Sequence, residues 1–103
     1  MIKPVTNEKG FLILLVDRED MAIMLDSPGV CDHCNQMPET GYLVAVLNHW
    51  LCPKCTKEFL ERAVRYDEDI PIEKRNHEYY LHMAKMTNIE VVESVTIESS
   101  LNT

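Results

Sequence analysis

Cys31-Asp32-His33-Cys34 and Cys52-Pro53-Lys54-Cys55 hold every cysteine of the chain, with seventeen residues between them. Two cysteines two residues apart can curl into a knuckle that turns both sulfurs toward one ion. One knuckle supplies half a tetrahedron and two supply all of it, the pattern of a structural zinc site. Thiolates suit zinc, a borderline-soft ion with no d-electron preference for geometry. The spacing therefore predicts one structural zinc ion held by Cys31, Cys34, Cys52 and Cys55. With four thiolates there is no open coordination position, so the metal activates no water and acts as a fastener.

Three other chemistries use the same residue types. Two disulfides would need an oxidising compartment, and no export signal is visible. A redox dithiol at Cys52-Pro53-Lys54-Cys55 would resemble a thioredoxin-like motif in lying where a strand meets a helix, but the second cysteine pair and the lack of a βαβ pattern count against it. An iron–sulfur cluster also takes four thiolates.

Working outward, Asn35 to Thr40 is a loop containing Pro38. Residues 41–46 are strand-like, Leu47-Asn48 is a turn, and His49-Trp50-Leu51 is a short return strand that delivers the chain into Cys52. Pro53 suits a first helical position, where its missing N–H costs nothing. From there to Tyr66 the pattern is helical, with Phe59, Leu60, Ala63 and Val64 as an apolar stripe.

Toward the N-terminus, Ser27-Pro28-Gly29 marks a turn, and residues 11–16 form an apolar run of strand length, consistent with burial on both faces. Asp17 to Asp26 is open between a short helix capped by Asp17 and a hairpin loop at Asp17-Arg18-Glu19-Asp20. Residues 1–10 read as a loose lead-in. Toward the C-terminus, Asp67-Glu68-Asp69 breaks the helix and places acid before a second one over about 71–86. In that helix Ile72, Tyr79 and Met83 lie on one side, with His77, Tyr80, Leu81 and Ala84 adjoining. Residues 89–97 are rich in Val, Ile and Thr and predict a strand that could pair with 11–16; residues 99–103 are expected to fray. The expected fold is α+β, a single domain over 1–103. A zinc module occupies about 31–66, with flanking elements at 11–26 and 71–97.

Knuckle, hairpin, second knuckle and helix in that order resemble the treble-clef zinc finger, on Cys31, Cys34, Cys52 and Cys55. The resemblance covers about a third of the chain and implies architecture rather than activity, since treble clefs serve many functions. His-Asn-His nucleases build a catalytic metal site on this scaffold, but the hairpin here offers only His49, and Thr56 follows Cys55. RING and LIM domains need eight ligands for two ions. This chain has four cysteines and the scattered His33, His49, His77 and His82.

The 103 residues carry 10 basic and 17 acidic side chains, a net charge of −7, which argues against coating nucleic acid or anionic lipid by bulk electrostatics. No apolar run is long enough for a signal peptide or a membrane span, so no membrane association is expected and a cytoplasmic location is the default. The acid concentrates in residues 66–103, with three basic against eight acidic residues, whereas residues 31–65 balance at four and four. Nothing pairs a nucleophile with a base, and no phosphate loop or carboxylate dyad is visible. The expected function is a non-enzymatic, zinc-stabilised domain that contacts another protein, as an accessory or inhibitor protein docking on a basic surface. Asp67, Glu68, Asp69 and Tyr79 are the candidate contact residues. The alternative is a nucleic-acid-binding finger using Lys54, Lys57, Arg62 and Arg65 with Trp50 as a stacking platform. Trp50 could instead pack over the zinc site and the 53–65 helix, and His33 could be a ligand or a solvated neighbour.

Overall fold

A sheet with helices on both faces positions the cysteines. The computed structural model describes residues 1–97. Its elements are β1 (Ile2–Asn7), β2 (Ile13–Asp17), α1 (Arg18–Leu25), β3 (Thr40–Val44), β4 (His49–Leu51), α2 (Pro53–Arg62), a 3₁₀ turn at Asp67–Asp69, α3 (Ile70–Met86) and β5 (Val95–Ile97). The strand order is β4-β3-β2-β1-β5, antiparallel through the first four, with β5 added parallel to β1. The α+β expectation holds at this level.

Alternation along the strands divides the core in two. Ile2, Leu14, Val16, Leu43 and Trp50 face one side, where Met21 and Met24 of α1 and Tyr80 and Ala84 of α3 cover them. Val5, Ile13, Val44 and Leu51 face the other, against Phe59 of α2 and Cys31, Cys52 and Cys55. The continuous apolar run 11–16 is thus explained, because β2 is central and buried on both faces.

Several expectations need correction. Residues 1–10 are not a loose lead-in, since residues 2–7 form β1, paired to β2 with Ile2 opposite Val16. Pro4 disguised it. Ile2 turns both its N–H and its C=O to the C-terminal segment, bonding Glu90 O and Val92 N at 2.8 Å each. Alternation puts the missing N–H of Pro4 on that same side, beside residues 92–94, which lie outside any strand, so no ladder bond is lost. The predicted strand 89–97 shrinks to an isolated bridge at Val91 and to β5 at 95–97, and it pairs with β1 rather than with 11–16. Of the two readings of residues 17–26, the helix is the one formed, over Arg18–Leu25, with Asp17 at its N-cap but without a side-chain cap bond. The helix from Pro53 stops at Arg62, not Tyr66, and leaves Val64 exposed. In α3 the buried residues are Glu73, Tyr80 and Ala84, while Ile72 and Tyr79 of the predicted apolar side are exposed. Residues 99–103 lie outside the described residues.

Candidate metal centre

Each knuckle is shaped by its own backbone. In the first, Asn35 N–H donates to Cys31 O at 2.9 Å and Cys31 N–H to Gln36 O at 2.8 Å. Asn35 takes a left-handed φ of 65°, a conformation asparagine tolerates. This turn is pinned to the edge of the sheet. Asp32 N–H donates to Trp50 O at 3.0 Å, and the Asp32 carboxylate accepts Trp50 N–H at 3.0 Å. The second knuckle is the start of α2. Cys52 is its N-cap, Pro53 opens the first turn, and Cys52 Sγ accepts the Cys55 N–H at 3.5 Å. Thr56, fully buried, bonds back to Leu51 O and Cys52 O and fixes the strand-to-helix corner.

The hairpin β3–β4 separates the two knuckles in sequence and folds them together in space. The four Sγ atoms lie within 4.8 Å of one another, the one such convergence of His, Cys, Asp or Glu ligand atoms among the described residues. Cys34 Sγ is 3.7 Å from Cys52 Sγ. A tetrahedral ion with metal–sulfur bonds of about 2.3 Å has sulfur–sulfur edges of about 3.8 Å, so the four residues fit one ion of that size. All four are free cysteines. Cys31, Cys52 and Cys55 are buried and Cys34 is half-buried.

The thiols do not ionise alike. Burial pushes Cys31 up, but hydrogen bonds from the backbone of Cys34, Cys52 and His33 outweigh it and bring the thiol to about 6. Cys52 and Cys55 are pushed up, first by burial; for Cys55 the neighbouring sulfurs, and the charge of Cys31, add to the rise. Four thiolates packed this closely need a cation to hold them together, and a bound dication would take the place of the protons they lose.

The other predicted site residues are not assembled. Trp50 is 2% exposed and sits on the opposite face of the sheet from the cysteines, its indole N–H donating to Val16 O at 3.1 Å. It neither offers a stacking face nor packs over the sulfur cluster. Arg65 pairs with Glu73 Oε1 at 2.7 Å, and Lys57 lies 3.7 Å from Glu61 one helical turn on. Lys54 and Arg62 are exposed on α2. Asp67, Glu68 and Tyr79 are exposed, and Asp69 is half-buried. His33 is exposed and outside the sulfur cluster. Sequence reasoning missed Asp32, which closes the sheet edge, and Glu73, an acid inside the buried stripe of α3. The signal for Glu73 was its position seven residues before Tyr80 and eleven before Ala84, on the same helix face.

No helix among the described residues is long and apolar enough to cross a membrane. No protein-family model matches the chain, and no curated protein or solved structure shows significant similarity to it.

Proposed function

We propose that this chain is a zinc-fastened, non-catalytic protein-interaction domain whose central module is a treble clef. The observation that carries the reading is the convergence of four cysteine sulfurs within 4.8 Å of one another, with the Cys34–Cys52 pair at 3.7 Å, close to a tetrahedral edge. A polynuclear iron–sulfur cluster would spread its thiolates around several metal atoms, so the spacing favours a single ion. All four donors are thiolates and leave no position for a substrate or an activated water. The order of knuckle, β3–β4 hairpin, knuckle and α2 supports the treble-clef assignment. Structural zinc supplies roughly 10–16 kcal/mol of apparent binding energy, comparable to the whole stability of a small domain.

Contact with a partner is assigned to the exposed Asp67 and Glu68, with Asp69, and to Tyr79 on α3. The burial of Trp50 and the engagement of Arg65 by Glu73 count against the nucleic-acid alternative, which is left with Lys54, Lys57 and Arg62. Elemental analysis should find one zinc per chain, and complete chelation should unfold at least residues 31–62 by circular dichroism. An unchanged spectrum after the metal has left would refute the fastener. Capture from lysate, with and without nuclease, tests the surface. A protein partner that survives nuclease and is lost on Asp67→Lys plus Tyr79→Ala supports it, whereas a nuclease-sensitive catch favours α2.

A further inference from the structure

The four sulfurs are unequal in access. Cys31 is wholly buried, Cys52 and Cys55 are 7% and 5% exposed, and Cys34 alone is open enough to rank as half-buried. Cys34 also sits in a surface turn whose Asp32, His33, Asn35 and Gln36 are exposed, whereas Cys52 is fixed as the N-cap of α2. The two sulfurs lie 3.7 Å apart, across the two knuckles.

We propose that Cys34 is an oxidation site for small peroxides, and that Cys52 resolves it as a disulfide which expels the metal. The proposal rests on the zinc reading above. The reacting form would be the metal-bound Cys34 sulfur. Its electron pair attacks one peroxide oxygen and the O–O bond breaks, giving a sulfenic acid and one hydroxide. The Cys52 thiolate then attacks the Cys34 sulfur, an S–S bond forms, and a second hydroxide leaves. Two thiolates are oxidised by two electrons in total and one peroxide is reduced, and two protons from the buffered solvent turn both hydroxides into water. Closing 3.7 Å to a disulfide length of about 2 Å needs a shift of less than 2 Å, which a surface turn can supply. Only Cys31 and Cys55 then remain as ligands, too few to retain the ion. Thiol reductant reverses the bond.

Because Asp32 in the same turn covers the backbone of Trp50, oxidation also loosens the outer edge of β4. The test uses the full chain, checked first for one zinc by elemental analysis. A pulse of N-ethylmaleimide on the zinc-loaded protein should label Cys34 at least about tenfold faster than the other three cysteines. One equivalent of hydrogen peroxide should release one zinc to a chromogenic chelator for each Cys34–Cys52 disulfide found by non-reducing peptide mapping. Hydrogen exchange at the Trp50 amide should accelerate with it, and dithiothreitol plus zinc should restore the starting state. First labelling at Cys31, Cys52 or Cys55, a first disulfide within either knuckle, or zinc retention after peroxide would each overturn the proposal while leaving the zinc site intact. A chain that neither carries nor takes up zinc overturns both readings. None of these readouts depends on a cysteine variant that could fail to fold.

Discussion

Arg65 Nη2 donates to Glu73 Oε1 at 2.7 Å, while Oε2 of the same carboxylate accepts the Leu12 N–H at 2.9 Å. The Arg65 guanidinium also lies over the Phe11 ring, 5.8 Å from its centroid. One buried acid on α3 therefore ties the segment that leaves α2 to the start of β2, and so joins the two faces of the sheet. Glu73 is 1% exposed, and a buried carboxylate that loses its cation is costly.

Arg65→Ala should accordingly lower stability by about 1–3 kcal/mol, less than the roughly 3–5 kcal/mol for breaking a fully buried pair, because Arg65 itself is partly solvated. Urea denaturation measures it. In a double-mutant cycle with Glu73→Gln the two losses should fall well short of additive. Additive losses would mean that the pair is not coupled and that Arg65 is available to a ligand after all.

The Trp50 indole closely approaches the backbone of Gly41. A Cβ placed on Gly41 would sit 2.5 Å from Trp50 Cε2 and 2.8 Å from Leu51 O. The ring cannot retreat, because it is buried and its N–H is bonded to Val16 O. Gly41→Ala is expected to cost about 2–4 kcal/mol by overpacking, read as a lower denaturation midpoint with unchanged slope. Trp50→Phe in the Gly41→Ala background should recover part of the loss, since a smaller ring makes room. A neutral Gly41→Ala would show that the indole is not fixed where it lies.

The candidate metal centre was legible because its information is local. Two cysteine pairs, the proline after Cys52 and the turn residues between β3 and β4 each act over a few positions. What escaped the sequence depended on long-range pairing. β1 carries only two fully buried side chains, Ile2 and Val5, and these face opposite sides of the sheet, so no alternation shows. Its status as a strand comes from β2 on one side and residues 90–97 on the other. Proximity in sequence suggests that Trp50 packs over the cysteines, but period-two alternation sends it and Leu51 to opposite faces, and Leu51 is the one beside the sulfurs. Glu73 reads as a surface charge until the chain brings Arg65 and Leu12 to it. Polar residues that close a structure are hard to see in one dimension because their partners lie eight and sixty-one positions away.

Asp32 illustrates the same point and can be tested directly. Its carboxylate accepts the N–H of Trp50 while its own N–H donates to Trp50 O, so the first knuckle continues the sheet beyond β4. Asp32→Ala leaves a part-buried N–H without an acceptor and should cost about 1–2 kcal/mol. It should also weaken zinc binding, since the knuckle that carries Cys31 and Cys34 loses a fixed point. Asp32→Asn retains an acceptor oxygen and should behave close to wild type. Competition with a chelator of known affinity, run on all three proteins, would show Asp32→Ala alone losing metal early. Equal retention by all three would mean that the sulfurs alone set the knuckle.

Alkaline pH isolates the opposite face of the sheet. The Tyr80 phenol donates to Asn48 Oδ1 in the β3–β4 turn. Burial first, and the Asp32 carboxylate second, push it up to about 12, against about 10 for an unfolded tyrosine. The folded chain thus holds this proton more tightly than the unfolded one. The resulting stability is complete below about pH 10 and is lost as pH rises from there through about 12, a change of up to about 2–3 kcal/mol. Tyr42, also raised by burial, adds to the slope in wild type. Tyr80→Phe removes the Tyr80 share, at the expense of the bond to Asn48, which costs about 1 kcal/mol near neutral pH. The stability gap between wild type and Tyr80→Phe should therefore be widest near neutrality and narrow steadily above pH 10, with tyrosinate absorbance marking the same transition. A gap that stays constant up to pH 12 would place the Tyr80 hydroxyl in contact with water and detach α3 from the β3–β4 turn.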